Sequence, residues 1–513
     1  MQSQARREHL WLQAIWWLGV LGFLLAGLWL NRGTLVFALD DPYIHLAMVE
    51  GMLQGHYGVN PGEVCSASSS ILWPILLMPF EALGLGPQGA LLWNTLCGAL
   101  SAALILEVLQ QALPMGKYGR IRVLLGLLVL LACNAWGLAF LGMEHSLQLT
   151  LSLAIVLGLL RLGAGRPVGW WIYLASLIAP WVRYESLALA SAFWLCLAWQ
   201  GRWVRALGLG LGSGLVLLAY GFFLHRLGLS WIPDSARAKL EAWGVDNTPW
   251  QSIRVHWAVA WKLERGRVLM GLVVFLVILA CKSGWWQPVG RAAVCLALAG
   301  LLHLSFGSYG WYNRYESAMV GGLCLGILGL GLPRVATARR PRVGIAGLAL
   351  GLLLVARPYA QGQAQIALAC NNIYEQQYQI HRLLLNHWRR PAAVNDLGWT
   401  SYRNDQFVLD LAGLASPEVR AMSRHSQDGA WIAVLTRQRG IELAAIYETW
   451  YPQRPAEWVQ VASLSLSRRR VTPASDRVSF FATSPAAVPA VRAALQAFEP
   501  TLPKPLRLTW EDN

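Results

Sequence analysis

Residues 11–41 read WLQAIWWLGVLGFLLAGLWLNRGTLVFALDD. The first 21 of these residues are almost entirely apolar, and about 20 such residues cross a bilayer as a helix. Two adjacent carboxylates, Asp40 and Asp41, follow the apolar run after eight further residues. The stretch therefore predicts a membrane-spanning helix that brings an acidic pair to one face of the membrane.

The composition of the whole chain agrees with a membrane protein. Of its 513 residues, 56% are hydrophobic and 13% are charged, and the mean hydropathy is +0.42. A soluble globular protein carries about 25% charged residues, and a disordered protein carries few apolar ones. The sequence therefore excludes both an ordinary soluble enzyme and a disordered chain.

Further apolar runs predict about 11 transmembrane helices, which makes the chain a polytopic α-helical membrane protein. No small-x-small cleavage site occurs between Arg6-Arg7 and Asp40, so the first run is predicted to stay in place as an anchor. The runs lie near 11–31, 87–112, 123–141, 146–162, 168–182, 184–200, 206–225, 268–281, 292–306, 316–333 and 343–356.

The net charge of +15 is distributed unevenly over the loops. With a cytoplasmic N-terminus, the cytoplasmic segments hold 15 of the 42 basic residues and only one of the 27 acidic residues, Glu8. Basic residues in short loops mark the cytoplasmic side of a membrane. We therefore expect a membrane protein with its N-terminus in the cytoplasm. The charge then acts as an orientation signal, and it does not indicate nucleic-acid binding.

The first outer loop, residues 32–86, contains two apolar segments that are too short or too interrupted to span. Residues 42–54 begin with Pro42, which favours a helix start. Residues 70–84 contain Pro74, Pro79 and Glu81, and making them a span would reverse the side of the following basic loop. We expect two juxtamembrane helices in the outer interface.

The composition changes after residue 356, which predicts a membrane domain over 1–356 and an extracytoplasmic α/β domain over 357–513. An amphipathic helix is expected over 374–390 and a closing helix over 486–498. Strands are predicted at AAVNDL (392–397), WIAVLT (431–436), LAAIY (443–447), WVQVASL (458–464) and VSFFAT (478–483).

The acidic pair Asp40-Asp41 is the leading candidate for chemistry. Adjacent carboxylates at an apolar boundary raise each other's pKa, as a general base near neutral pH requires. The alternative is a helix cap for 42–54, and both roles are compatible. Glu144 lies at the tip of a turn on the same side, where it is either functional or merely solvated. The neighbouring His145 is more typical of an interfacial polar residue than of a metal ligand.

Charged residues also lie where two spans meet with almost no loop between them. Arg183 and Glu185, in PWVRYES, either form a mutual structural pair or line a site. Arg314 repeats this pattern in WYNRYES, and Lys239 lies in PDSARAK of a longer outer loop. Acids facing cations suit a hydroxyl group that attacks beside an anionic leaving group.

These motifs resemble the GT-C superfamily of polyprenyl-phosphate-sugar-dependent glycosyltransferases. The stretches LDDPYIHLAMVEGMLQGHYGVNPGE (39–63) and SSSILWPILL (68–77) are similar to the first outer loop of that superfamily. GMEH, RYES, PDSARAK and WYNRYE follow in order. NIYEQQYQ, AVNDLGW and LDLAGL resemble the C-terminal segment of a bacterial, arabinofuranosyltransferase-like branch, so that the resemblance covers roughly 35–415.

The resemblance implies transfer of one sugar from a polyprenyl-phosphate donor to an envelope glycan, lipid or protein outside the membrane. It implies that Asp40 is the base, that Asp41 orients the acceptor or sets that pKa, and that Glu144 is the acid of the second outer loop. Some members hold a divalent metal, Mg or Mn, at the acidic pair. The implied phosphate ligands are Arg183, Lys239 and Arg314, and the implied supporting residues are Glu185, Tyr315 and His45.

Three questions stay open at this point. Asp234 stands where the family has Asn, which adds a negative charge beside the expected phosphate site. Cys65 and Cys370, the two cysteines on the outer side, form a disulfide or remain free thiols. A transporter, a lipid flippase or a non-catalytic envelope scaffold is the alternative function, although no inverted repeat of the transporter kind is present.

Overall fold

A computed structural model describes residues 2–234, 237, 248–423 and 428–511 of the chain. These residues divide between two compact units. The first unit comprises Met1–Leu24, Leu91–Ala219 and Trp243–Gln365. The second comprises Leu25–Ala90, Tyr220–Ala242 and Ile366–Asn513. The second unit therefore contains the first outer loop together with the C-terminal segment that the sequence predicts to be a separate domain.

Helices dominate the chain up to residue 365, and each predicted apolar run is helical. Their bounds are α1 Gln2–Leu30, α2 Asp41–Leu53, α3 Leu72–Ala82, α4 Gly86–Ala112, α5 Gly119–Ala132, α6 Ala135–Ala139, α7 His145–Gly163, α8 Trp170–Val182, α9 Leu187–Trp199, α10 Trp203–Arg226, α11 Pro249–Lys262, α12 Glu264–Ser283, α13 Pro288–Phe306, α14 Ser317–Ala336 and α15 Pro341–Gln363. Helices α2 and α3 coincide with the two predicted juxtamembrane helices.

Within the described residues, eight helices are long and apolar enough to cross a membrane, so the predicted count of 11 is not confirmed. Three predicted spans correspond to shorter helices, α5, α8 and α9, which have 13 or 14 residues each. Such a helix is about 20 Å long, less than the hydrocarbon thickness of about 30 Å. Helix α5 ends where Asn134 adopts a left-handed conformation, and α8 ends where Arg183 is extended.

Contacts within the first unit join residues that the charge pattern assigns to the cytoplasmic side. The Arg122 guanidinium lies 2.6 Å from the Glu8 carboxylate, and both side chains are buried. Arg334 donates to Ser283 Oγ over 2.6 Å, close to Lys282 of the same predicted side. Glu8, the one acid in those segments, therefore neutralises the buried Arg122, which is consistent with the predicted alternation of basic and near-neutral loops.

The C-terminal part of the second unit alternates helices and strands. The helix predicted over 374–390 begins earlier and is broken at Gln376, after which a π-helical turn, Leu384–Trp388, follows α17. The closing helix α21 confirms the prediction. The helices are α16 Ile366–Glu375, α17 Gln377–Leu383, α18 Gly398–Ser401, α19 Pro417–Ser423, α20 Ala430–Gln438 and α21 Val488–Phe498.

The strands form a mixed sheet in the order β2-β1-β3-β5-β4-β6. Strand β1 pairs in parallel with β2 and β3, in the registers Ala392↔Val408 and Ala392↔Leu443, and the remaining pairs are antiparallel. The carboxyl ends of β1, β2 and β3 therefore meet at one edge of the sheet. The strands are β1 Ala392–Val394, β2 Val408–Asp410, β3 Leu443–Ile446, β4 Val459–Ser465, β5 Arg477–Ala482 and β6 Leu508–Trp510.

Both faces of this sheet are covered by apolar side chains. Because successive strand residues point to opposite faces, Phe480 joins the core on one side and Phe481 joins the core on the other. The prediction of a strand at WIAVLT is wrong: these residues form α20. Trp431, Ile432 and Leu435 of α20 lie in the second core, and this spacing fits one face of a helix.

Cys65 and Cys370 do not form the possible disulfide. Both are free thiols, and both are buried. Cys65 is held by its backbone, since its N–H donates to the Tyr57 carbonyl over 3.0 Å. Burial raises the pKa of the Cys65 thiol to about 12. A thiol with so high a pKa is a poor nucleophile for disulfide exchange.

Candidate functional site

Asp40 lies at the start of α2, but its carboxylate does not cap that helix. It occupies the N-cap position without a side-chain capping bond. Instead, the Gly398 N–H donates to Asp40 Oδ2 over 2.6 Å and the Trp399 N–H donates to Oδ1 over 2.9 Å. The capping alternative therefore predicts the N-cap position correctly but is wrong about the hydrogen bond. The Asp40 carboxylate accepts from α18, in the C-terminal segment of the second unit, and not from α2.

The two amides belong to the first turn of α18, where N–H groups have no partner inside the helix. A carboxylate satisfies such donors, and Asp40 satisfies two of them at once. Gly398 is required for this approach. A Cβ atom at this position would lie 2.0 Å from the Asp40 carbonyl oxygen and 2.7 Å from Oδ2.

Aromatic side chains fix the same junction. The rings of Tyr43, in α2, and Trp399, in α18, are stacked with their centroids 3.9 Å apart. The Tyr43 hydroxyl accepts a hydrogen bond from the Phe37 N–H over 3.0 Å. His45, expected to support the site, lies 2.9 Å from Ser68 Oγ through its Nδ1 and so ties α2 to the later part of the same loop.

Asp396, in the AVNDLGW motif, is a further candidate site residue. It follows the carboxyl end of β1, and Tyr447 follows the carboxyl end of the neighbouring parallel strand β3. Asp396 Oδ2 lies 2.8 Å from both Gln377 Nε2 and the Tyr447 hydroxyl. Side chains at the carboxyl ends of parallel strands commonly form ligand sites, and this rule, applied to AVNDL and LAAIY, is the signal that could have found the pair.

The electrostatics couple these carboxylates. Burial and the charge of Asp396 raise the pKa of Asp40 well above its usual range, against the two backbone donors that lower it. Burial also raises the pKa of Asp396, and Asp41 adds to this increase. All three side chains remain half-buried rather than fully enclosed. We refer to Asp40, Asp41 and Asp396 as the acidic centre.

The acidic centre does not fit the divalent metal that the resemblance allows. Both oxygens of Asp40 accept backbone N–H bonds, and Oδ2 of Asp396 faces the Gln377 amide and the Tyr447 hydroxyl. In the part of the chain that the structure describes, no group of three or more His, Cys, Asp or Glu residues is placed to hold a metal ion.

Further contacts hold the first outer loop against the residues that follow α18. Glu81 accepts from the Tyr402 hydroxyl over 2.9 Å, and Glu50 accepts from the Arg403 N–H over 2.8 Å. The Asn60 side chain pairs with both the N–H and the carbonyl of Val408, as a neighbouring strand residue would. The position of Asp40 is thus supported along the whole loop.

Asp234 is neutralised inside the second unit. Its carboxylate lies 2.9 Å from the Arg420 guanidinium and accepts from the Ser66 N–H over 2.9 Å. The negative charge of Asp234, which stands where Asn is expected, is therefore balanced by Arg420, a residue that is not among the predicted site residues. Lys239, the phosphate ligand expected in the same motif, lies outside the described residues.

The first unit contains a separate cluster built from the other predicted residues. Arg183 donates to Glu144 Oε1 over 2.8 Å and to both oxygens of Glu185 over 2.6 and 3.0 Å. The mutual pair of Arg183 and Glu185 is thus confirmed, with Glu144 as a further partner. Arg183 and Glu144 are almost completely buried, so Glu144 is not the solvated turn residue of the alternative interpretation.

Tyr315 brings Arg314 into this cluster. Its ring lies 4.8 Å from the Arg314 guanidinium carbon and 5.6 Å from that of Arg183, both within cation–π distance. The Arg314 guanidinium also donates to the Tyr315 hydroxyl over 2.8 Å. The structure thus assembles RYES and WYNRYE, whose arginines are 131 positions apart, around one tyrosine. We refer to Arg183, Arg314 and Tyr315, with Glu144 and Glu185, as the cationic cluster.

Together, these features define a multi-pass membrane protein whose first loop presents an acidic centre completed by a small C-terminal α/β segment. Comparison with family models gives one match, over residues 371–481, to a domain of unknown function (DUF8728). No curated protein matches the chain.

Among the solved structures that resemble the chain, two are described here, both at low sequence identity. The crystal structure of ArnT from Cupriavidus metallidurans bound to undecaprenyl phosphate matches 92% of this chain and 98% of that chain, with 14% identity and a TM-score of 0.47. A cryo-EM structure of the arabinofuranosyltransferase AftD from Mycobacteria matches 92% of this chain, with 13% identity and a TM-score of 0.41. The matched part is 42% of the AftD chain.

Proposed function

We propose that the chain is a membrane glycosyltransferase of the GT-C type. It would move one sugar from a polyprenyl-phosphate donor to a hydroxyl group of an envelope acceptor, with Asp40 as general base. The observation that carries the proposal is the acidic centre. A half-buried carboxylate, held by two backbone N–H groups and raised in pKa by a neighbouring Asp, has the properties of a base near neutral pH.

The proposed reaction is a single displacement. The acceptor oxygen attacks the anomeric carbon while its proton passes to the Asp40 carboxylate. The bond between the anomeric carbon and the phosphate oxygen breaks, and its electron pair leaves with the polyprenyl phosphate. Asp41 orients the acceptor hydroxyl, and the Asp396 charge keeps Asp40 basic enough to take the proton.

The cationic cluster is proposed to compensate the charge of the donor phosphate. Arg183 and Arg314 supply fixed guanidinium groups, which favour a developing phosphate dianion. Glu144 holds Arg183 in place, a role that its 2.8 Å ion pair supports better than direct proton transfer. Lys239 remains a proposed phosphate ligand on the resemblance alone.

The proposed location is the bacterial inner membrane, with a cytoplasmic N-terminus and the C-terminal segment outside. This orientation rests on the distribution of basic residues in short loops. It places the acidic centre on the outer side, where envelope acceptors are found.

Asp40→Asn and Asp40→Ala test the base directly. We expect both variants to lose sugar transfer from a radiolabelled polyprenyl-phosphate donor by about 100-fold or more, the usual contribution of a general base. Asp476→Asn, at an exposed position of the same unit, is the matched control and should retain activity. Unchanged transfer in both Asp40 variants, at normal yield and Tm, would refute the proposal. Movement of the labelled lipid across the membrane without a new glycosidic bond would instead identify a flippase.

A further inference from the structure

Three consecutive arginines, Arg468, Arg469 and Arg470, occupy the connection between β4 and β5 and are exposed to solvent. No ion pair between any of them and a carboxylate is present within the described ranges. Three adjacent guanidinium groups without acidic partners repel one another. Such a run of exposed cations is suited to an anionic partner outside the chain.

Buried polar side chains fix the base of this connection. Glu375 accepts from the Ser467 N–H over 2.8 Å and from its hydroxyl over 2.6 Å. Asn372 accepts from the Val471 N–H over 2.7 Å and donates to the Arg469 carbonyl over 3.3 Å. Asn372 and Glu375 are buried in α16 and so fix the backbone of the connection. The three arginine side chains are exposed, and the Arg470 guanidinium donates to the Ala474 carbonyl of the same connection.

The same helix ties the arginines to the end of α1. Asn371, adjacent to Asn372, donates to the Leu30 carbonyl over 3.3 Å and to Asn31 Oδ1 over 3.2 Å. Leu30 is the last residue of a helix long and apolar enough to cross the membrane. Beside it, Arg32 donates to the Lys504 carbonyl over 2.7 Å. The arginine connection and the end of this candidate span therefore contact adjacent residues of α16.

We propose that a basic rim, formed by Arg32, Arg468, Arg469, Arg470 and Lys504, binds anionic phospholipid headgroups in the leaflet at the Leu30 end of α1. Four or more basic residues clustered next to a span attract anionic lipids, and the attraction falls off within about a Debye length of the surface. Guanidinium groups also bind phosphate with two parallel hydrogen bonds. The rim combines arginine with a place next to the end of a candidate span.

Hydrogen exchange on the full-length protein in nanodiscs tests this proposal. The amides of residues 466–476 are expected to exchange at least about fivefold more slowly in phosphatidylglycerol than in phosphatidylcholine nanodiscs. The difference should disappear in Arg468→Gln/Arg469→Gln/Arg470→Gln and at about 1 M salt, where the Debye length is about 3 Å. The control variant Arg437→Gln/Arg439→Gln removes two exposed arginines of the same unit and should keep the difference.

Each other outcome decides against the proposal. Equal exchange in the two lipids, or a lipid-dependent difference that survives the triple substitution, would overturn it. Inorganic phosphate added to phosphatidylcholine nanodiscs distinguishes the source of the phosphate group. If free phosphate slows exchange as strongly as phosphatidylglycerol does, the rim is a soluble-anion site and the lipid assignment is wrong.

Discussion

Gly398 donates its backbone N–H to Asp40 Oδ2 over 2.6 Å, joining two residues 358 positions apart in the chain. The contact brings together the start of α2 and α18, a four-residue helix near the C-terminal sheet. The Asp40 carboxylate is held through both of its oxygens, because the Trp399 N–H donates to Oδ1. The position of the proposed base is therefore set by a segment that lies outside the membrane helices.

Substitution of Gly398 should disturb Asp40 without changing any ionisable group. In Gly398→Ala, the new Cβ would lie 2.0 Å from the Asp40 carbonyl oxygen, so the two segments must move apart. A displacement of about 1 Å at a reacting group lowers kcat/KM by about 100-fold. We expect a loss of this size in sugar transfer, measured with the labelled polyprenyl-phosphate donor.

Gly27→Ala is the control for this substitution. Gly27 lies inside α1, and a Cβ there would meet no heavy atom within 4 Å. This variant should keep wild-type transfer. If Gly398→Ala also keeps it, the close approach of α18 to Asp40 is irrelevant to activity.

Replacement of Asp396 should shift the pH dependence of transfer. The Asp396 charge is, after burial, the largest cause of the raised pKa of Asp40. Asp396→Asn removes that charge, so the pKa of Asp40 falls and the base stays ionised at lower pH. The acid limb of the kcat/KM profile is therefore expected to move to lower pH than in the wild type.

Tyr447→Phe provides a comparison, because it removes a hydrogen-bonding partner of Asp396 and leaves the charge near Asp40 in place. Its acid limb should not move to lower pH. A profile of Asp396→Asn that superimposes on the wild type would show that the two carboxylates are not coupled in the reaction.

The parts of this architecture that are visible in the sequence are those encoded locally. Apolar runs placed the helices, and the order of RYES and WYNRYE indicated residues that meet at Tyr315. By contrast, no local pattern links Asp40 to Gly398, because a backbone N–H carries no side-chain signature.

The helix that contains Trp431–Thr436 is predicted as a strand because its residues are apolar and partly β-branched. Asp428, whose carboxylate accepts from the Ala430 N–H over 3.1 Å, is the helix-start signal that was missed.

Deprotonation of Glu50 should lower the free energy of unfolding of the second unit as the pH rises. Burial, together with the nearby Glu81, raises its pKa from 4.5 to about 7, although the Arg403 N–H opposes this. Because the folded state holds the proton more tightly than the unfolded state, the free energy of unfolding decreases between about pH 4.5 and pH 7. Allowing for solvent screening of a half-buried side chain, the decrease is about 1–2 kcal/mol.

Glu50→Gln removes this titration and retains an oxygen that accepts from the Arg403 N–H. Above pH 7 the variant is expected to have a higher Tm than the wild type in the same detergent, and the gap should close towards pH 4.5. Glu442→Gln, at an exposed ion pair with Arg390, should show no such pH-dependent gap. A Glu50→Gln variant that is less stable than the wild type at pH 8 would contradict the sign of this linkage.

A double substitution separates the structural role of Arg183 from its proposed role at the donor phosphate. Arg183 forms ion pairs with Glu144 and Glu185, so Arg183→Gln removes a buried cation that both carboxylates contact and should destabilise the fold by about 3–5 kcal/mol. Arg183→Gln/Glu144→Gln removes one of those charges and should recover much of the lost Tm. Transfer activity should nevertheless stay low with a raised KM for the donor, because the guanidinium group is absent. Recovery of both stability and wild-type KM would make the arginine purely structural and would leave Arg314 as the phosphate ligand of the cluster.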